Sequence, residues 1–261
     1  MLKALNTAAT GMQAQQTQLD VIANNMANVS TTGFKKSRAE FDDLLYQTIK
    51  EPGAKESGDV VHPAGVQTGL GVKIGATQKM FDEGPRKITR NPLDLAIEGN
   101  GFFPIQMSNG QVGYTRDGTF HKDVGGKIID KNGNPLLPEI VIPQNASGVN
   151  IADNGQVSIT LPGNAQAQQI GQIQLVSFVN PTGLKSMGRN LFTPSPASGT
   201  PQQGVPGENN LGTISQGELE GSNVSVVDEM VNMISTQRSY ESNSKVVQAA
   251  DQMLQYSNNL R

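Results

Sequence analysis

The chain has 261 residues, enough for one large domain or two ordinary ones. Charged residues are only 16% of it, against about 25% in a typical soluble domain, and 20 basic against 23 acidic side chains leave no basic footprint for nucleic acid. The absence of cysteine excludes disulfides, thiolate metal sites and thiol catalysis. No run approaches the roughly 20 apolar residues that span a bilayer, so membrane insertion is not expected, and the N-terminus lacks the apolar stretch of a cleavable signal peptide.

In chain order, the first predicted element is a helix of about 26 residues, a rod of roughly 39 Å. Leu5, Met12, Leu19 and Met26 recur every seven residues, and Ala8, Ile22 and Val29 follow three residues after members of that series, the a/d spacing of a coiled coil. Lys3 and Asp20 are the only charged side chains in the first 28 residues, where a helix with a wet face carries several. Ala4, Ala9, Ala14, Ala23, Ala27 and a run of Gln and Asn fill the other faces. Small, neutral side chains all round suit a helix enclosed by neighbours. Asn24, Asn25 and Asn28 admit two readings: amides that hydrogen-bond across an interface, or ordinary helix termination ahead of Gly33. The basic cluster Lys35-Lys36-Ser37-Arg38 reads as a solvated surface or as the partner of a neighbour's carboxylates.

Residues 51–84 are rich in Gly and Pro with weak periodicity and read as an extended arm or long loop, which in a compact domain is usually functional. The middle of the chain reads as all-β. Strand-like runs at 93–98, 102–107, 111–115, 127–130, 156–160 and 172–179 alternate with turn signals such as "RDG" and "KNGN", which supply the positive φ angles of tight hairpins. An antiparallel sandwich or open barrel follows. Pro104 counts against 102–107 as a central strand, because proline cannot donate to the ladder. After an irregular stretch at 193–210 comes a second long helix, predicted from about Ser225 to Asn258. Ser225 and Asp228 have the spacing of a capping box, and Val226, Met233, Tyr240, Val247 and Leu254 again repeat every seven residues. For the two heptad segments to pair, the domain between them must bring its two ends together.

Little in the sequence nominates a catalytic, cofactor or metal site. His62 and His121 stand far apart with no ligand spacing around them, and there is no G-x-S-x-G elbow. "DKNGN" (130–134) departs from a calcium loop, with its glycine at the fourth position and Val141 at the twelfth, and fits a hairpin turn better. "EGNGFF" (98–103) is followed by strand residues rather than a helix, so its glycines fit a tight bend better than a phosphate loop. Asp82, Glu83, Asp94 and Glu98 are scattered carboxylates with no pair singled out. No enzyme activity and no cofactor are expected.

"ANNMANVSTTGFK" (23–35) and "GELEGSNVSVVDEMVNMISTQRSYESNSKVVQAADQML" (217–254) together resemble the N- and C-terminal signatures of the axial family of the bacterial flagellum. "GFKKSRAEFDDLLYQTI" (33–49) and "EGNGFFPIQMSNGQVGYTRDGTF" (98–120) make the likeness strongest to its distal-rod members. The resemblance implies an α+β fold, with N- and C-terminal helices pairing as a coiled-coil-like core, a central antiparallel β domain and an extended arm. The division that goes with it is 1–45, core helix and signature turn; 46–90, arm; 91–215, β domain; and 216–261, core helix. It implies a structural subunit of a straight, hollow helical homopolymer in the basal body, its rod crossing the periplasm, exported through the flagellar export apparatus without a cleavable signal peptide. Proximal rod, hook and surrounding ring (bushing) proteins are the implied neighbours.

The expected assembly interface consists of Leu5, Met12, Leu19, Ile22, Asn24, Asn25, Met26 and Asn28 on the first helix, and Val226, Met233, Tyr240, Val247 and Leu254 on the second. The expected rod-specific arm is marked by Tyr46, Lys50, Pro52, Gly53, His62 and Pro63. Three alternatives stay open at this point. The heptads could form an internal hairpin in a monomer; the chain could be a proximal rod or hook-type subunit; or it could be a secreted β-domain enzyme or binding module with helical oligomerisation tails.

Overall fold

The structure, a computed structural model, describes residues 2–51, 55–56, 60–61, 65–162 and 164–259. The class is α+β, and the chain divides into two compact units. The first comprises Met1–Ala27, Ser37–Gln78 and Ser225–Arg261; the second comprises Asn28–Lys36 and Lys79–Val224.

In the first unit, α1 (Leu2–Ala27) and α2 (Val226–Asn259) pack against each other. Ser225 caps α2: its hydroxyl accepts the Asp228 N–H at 3.4 Å and its carbonyl the Glu229 N–H at 3.0 Å, while Asp228 and Glu229 place negative charge at the helix N-terminus. The pairing is antiparallel. Asn25, near the end of α1, reaches Glu229 at the start of α2 at 3.4 Å. Gly11, fourteen residues earlier on α1, lies against Asn243, fourteen residues later on α2, where an added Cβ would sit 3.1 Å from the amide nitrogen. Ala8, Ala14, Ile22 and Asn25 are buried on α1, and Glu229, Thr236 and Ala250 on α2, so apart from Ile22 the buried groups are small or polar. The large residues of the sevenfold repeats, Leu5, Met12, Leu19, Met26, Met233, Val247 and Leu254, are half-buried along the flanks.

The same unit holds strands from the stretch between the helices. Ser37–Asp43 pairs with Val72–Lys79, and Tyr46–Lys50 pairs antiparallel with Val66–Gly69. Much of what reads as loop is therefore paired. The periodicity is weak because both faces of these ribbons are largely exposed, so backbone hydrogen bonds rather than a buried stripe hold them.

The second unit is the β domain. One four-stranded sheet runs Lys185–Gly188, Leu191–Thr193, Val112–Thr115, Phe103–Gln106, all antiparallel, and a three-stranded sheet joins Gly148–Ile151, Gln156–Leu161 and Asn164–Gln172. Leu95, Phe103, Ile105, Phe120, Ile128 and Leu136 are central to its buried core. Pro104 sits in an edge strand of the four-stranded sheet, and the orientation explains why it is tolerated. Its carbonyl points away from Val112–Thr115, accepting the Leu137 N–H at 2.9 Å, so the missing N–H falls on the side away from that ladder, where a single isolated bridge joins Ile105 to Leu136.

Two short antiparallel pairs close the unit: Thr213–Gln216 with Leu95–Glu98, and Glu218–Glu220 with Arg86–Ile88. They return the chain to the segment by which it first enters the unit, where the Gly33 N–H donates to the Glu220 carbonyl at 2.8 Å.

Candidate assembly interface

α2 carries a second apolar row. Val227, Met230, Val231 and Ile234 recur at helical spacing on the face opposite Glu229, Met233 and Thr236, and Val227 is 70% and Val231 60% exposed. Val226 and Tyr240 are also exposed. A contiguous apolar row in water is the surface expected of a helix that another chain covers. Leu45, just before the strand Tyr46–Lys50, and Tyr46 and Ile49 within it are exposed at 83%, 57% and 68%. Tyr46 stands opposite Gly69, and Lys50 opposite Val66. Pro52, Gly53, His62 and Pro63 lie outside the described residues.

The three asparagines separate. Asn28 begins the turn after α1: its carbonyl accepts the Thr31 N–H at 3.1 Å and its side-chain oxygen the Thr31 hydroxyl at 3.2 Å. Asn24 is exposed. Asn25 is only 2% exposed. Its amide nitrogen donates to the Ser37 carbonyl and its oxygen accepts the Ser37 N–H, both at 2.9 Å, as a neighbouring strand would. The amide thus fixes where strand Ser37–Asp43 starts on α1. Asn25→Ala is expected to cost this unit about 2–4 kcal/mol, because two backbone groups lose their partner at once. Thermal unfolding followed by helical circular dichroism reads it, since both helices belong to this unit; a loss below about 1 kcal/mol would contradict the assignment.

The signature turn has a sharper constraint. Gly33 adopts φ 67°, and an added Cβ would lie 2.7 Å from the Asp117 amide nitrogen, so only glycine fits both the conformation and the space. Two residues on, Lys35 is buried, which neither reading of the basic cluster anticipates. Its ammonium donates to the Glu220 carboxylate at 2.5 Å and to the Asp82 carbonyl at 2.6 Å. Arg116, also buried, donates to the other Glu220 oxygen at 3.1 Å and to the Gly99 carbonyl at 2.6 Å, with its guanidinium over the Phe102 ring. Gly84 N–H adds a third bond to the carboxylate at 3.1 Å. Burial pushes the Lys35 ammonium below its usual pKa, against the attraction of Glu220. Burial alone would raise the Glu220 carboxyl, but Arg116 and Lys35 outweigh it and hold the group below the ordinary carboxylate value. Arg38, by contrast, pairs with Glu40 on the surface.

No spacing in the sequence could have found this cluster, because Glu220 lies 185 residues from Lys35 and 104 from Arg116. Among the described residues no group of three or more His, Asp or Glu is arranged to hold a metal ion.

Three family models match the chain: flagella basal body rod protein over residues 5–35, flagellar hook protein FlgE/F/G D1 domain over 96–172, and flagellar basal body rod FlgEFG protein C-terminal over 215–260. The chain is 47% identical over 255 residues to the flagellar basal-body rod protein FlgG of Buchnera aphidicola subsp. Schizaphis graminum, covering 98% of each. It is 47% identical over 261 residues to that of Caulobacter vibrioides, covering 100% of each. The figure for Borreliella burgdorferi is 44% over 263 residues, covering 100% of this chain and 99% of the relative. The chain belongs to the flagellar basal-body rod protein family. In this rod-family chain each matched segment supplies one member of the buried cluster: Lys35 ends the first, Arg116 lies in the second and Glu220 in the third. The terminal signatures of a rod-family chain are thus joined inside the β unit by charge as well as by backbone bonds.

Proposed function

We propose that the chain is a structural subunit of the flagellar distal rod, polymerising into a straight, rigid, hollow tube that transmits torque and encloses the export channel. The observation that carries this reading is the uncovered apolar row of Val227, Met230, Val231 and Ile234 on a terminal helix whose opposite face is already occupied. Full-length likeness to FlgG proteins supports the distal position. The α1 and α2 residues named from the heptads line or flank the helix pair that would form the wall of the tube, with coiled-coil-like packing there. The neighbours are proximal rod and hook proteins along the axis, ring proteins around it and the export apparatus below, with the rod crossing the periplasm.

Expressed in a flagellated bacterium that lacks its own distal rod protein, the chain should restore basal bodies that carry a hook, seen by electron microscopy. Basal bodies that still stop at the proximal rod would overturn the reading.

The first part of the arm, 46–65, bridges adjacent subunits and locks their spacing in this account, through exposed Leu45, Tyr46 and Ile49 at its root. Deleting it should give a curved or bendable polymer; a tube that stays straight and stiff would contradict the role.

A further inference from the structure

Three segments of the β unit, 33–36, 80–85 and 220–223, are stitched together almost wholly by polar bonds. Glu220 takes Lys35, Arg116 and Gly84 on its carboxylate and Gly33 on its carbonyl. Three residues on, the Asn223 side chain accepts the Lys36 N–H at 2.7 Å and donates to the Met80 and Asp82 carbonyls at 2.9 and 3.1 Å. Met80 N–H returns to the Lys36 carbonyl at 2.9 Å, and Gly221 N–H to the Pro85 carbonyl at 2.8 Å. The apolar core is elsewhere: none of these residues belongs to the cluster around Phe103 and Phe120. Phe81 alone packs on a second cluster, against Phe102 and Phe192. The middle segment is therefore tied to an apolar cluster, while of the outer two only 33–36 buries an apolar side chain, Phe34 beneath the Lys79 ammonium, and both depend mainly on the polar seam.

We infer that Glu220 is the keystone of a latch, such that 33–36 and 220–223 are held together or released together while the core of the β unit stays folded. The seam holds two buried cations and one buried anion, with Glu83 and Lys79 the other charged groups facing it. Removing the anion leaves Lys35 and Arg116 facing each other, and the cheapest relief is to move Lys35 to water, which carries its segment out. Once Lys36 leaves, Asn223 loses its acceptor role, so the C-terminal connector goes with it. These two connectors are the ends at which the chain passes out of the β unit.

Hydrogen exchange read by mass spectrometry on the full chain tests this. In Glu220→Gln, exchange at 33–36 and at 221–223 should accelerate on the order of a hundredfold and by the same factor, with Phe103–Gln106 and Phe120–Lys122 nearly unchanged. Lys35→Met keeps a neutral Arg116–Glu220 pair, so it should fold even where Glu220→Gln does not, and should accelerate both segments equally but less. Acceleration at 221–223 with 33–36 still protected would overturn the inference in either variant, and so would equal acceleration across the whole unit.

Discussion

Glu220→Gln is expected to weaken the polar seam of the β unit by about 3–5 kcal/mol, more than Lys35→Met or Arg116→Met. The ordering follows from charge count. The wild-type cluster holds two cations and one anion, all buried, with side-chain exposure of 0% for Lys35, 3% for Arg116 and 2% for Glu220. Either cation can be removed and a neutral pair remains, so the loss is mainly of hydrogen bonds, to the Asp82 or the Gly99 carbonyl, about 1–3 kcal/mol each. Removing the anion strands two positive charges in low dielectric. Hydrogen exchange at 33–36 in the three variants measures the order; equal acceleration in all three would contradict it.

The same cluster sets the acid limb of stability. The folded-state pKa of Glu220 is held below its unfolded value. Its contribution is therefore fully present above the ordinary carboxylate range and is lost as pH falls through the depressed folded value. Lys35 acts at the other end: with its folded pKa lowered by burial, the unfolded chain binds the proton more tightly, and this group's term rises with pH in the alkaline range. Glu220→Gln should remove the acid term and the alkaline one with it, because Lys35 then leaves the seam for water and loses the burial that lowers its pKa.

Val231→Glu combined with Ile234→Glu should abolish tube formation, raising the concentration needed for assembly on the order of a hundredfold or more, because each would bury an unpaired charge at a subunit contact. Both residues are exposed in the single chain, at 60% and 51%, on the side of α2 away from α1. Folding should change little, since glutamate is a good helix former and exposed substitutions cost within about 0.5 kcal/mol. Helical circular dichroism checks the fold and sedimentation the assembly. A variant that polymerises like the wild type would show that this row is not covered in the tube.

Both long helices were legible because their signals are local. The α1 span, Leu2–Ala27, and the start of α2 beside its Ser225 cap follow from apolar spacing and capping chemistry alone. The β middle was legible from Asn-Gly and Asp-Gly turns. What the heptads mislead about is depth. Gly11 lies against Asn243, Ala8, Ala14 and Asn25 are buried, and of the large residues in the first repeat Ile22 is buried while Leu5, Met12, Leu19 and Met26 are only half-buried. The ribbons between residues 37 and 79 left no pattern, since neither face is buried. The Lys35–Glu220–Arg116 cluster and the pairing of Asn25 with Ser37 were invisible for another reason: they are tertiary matches between polar groups, and polar residues in sequence look the same whether they face water or each other.

Electron microscopy of the purified full-length chain, alongside its sedimentation profile, tests the central claim most directly. The account predicts straight, hollow, unbranched tubes. A compact monomer at every concentration, under conditions in which other axial proteins polymerise, would contradict it and leave the two helices as an internal hairpin.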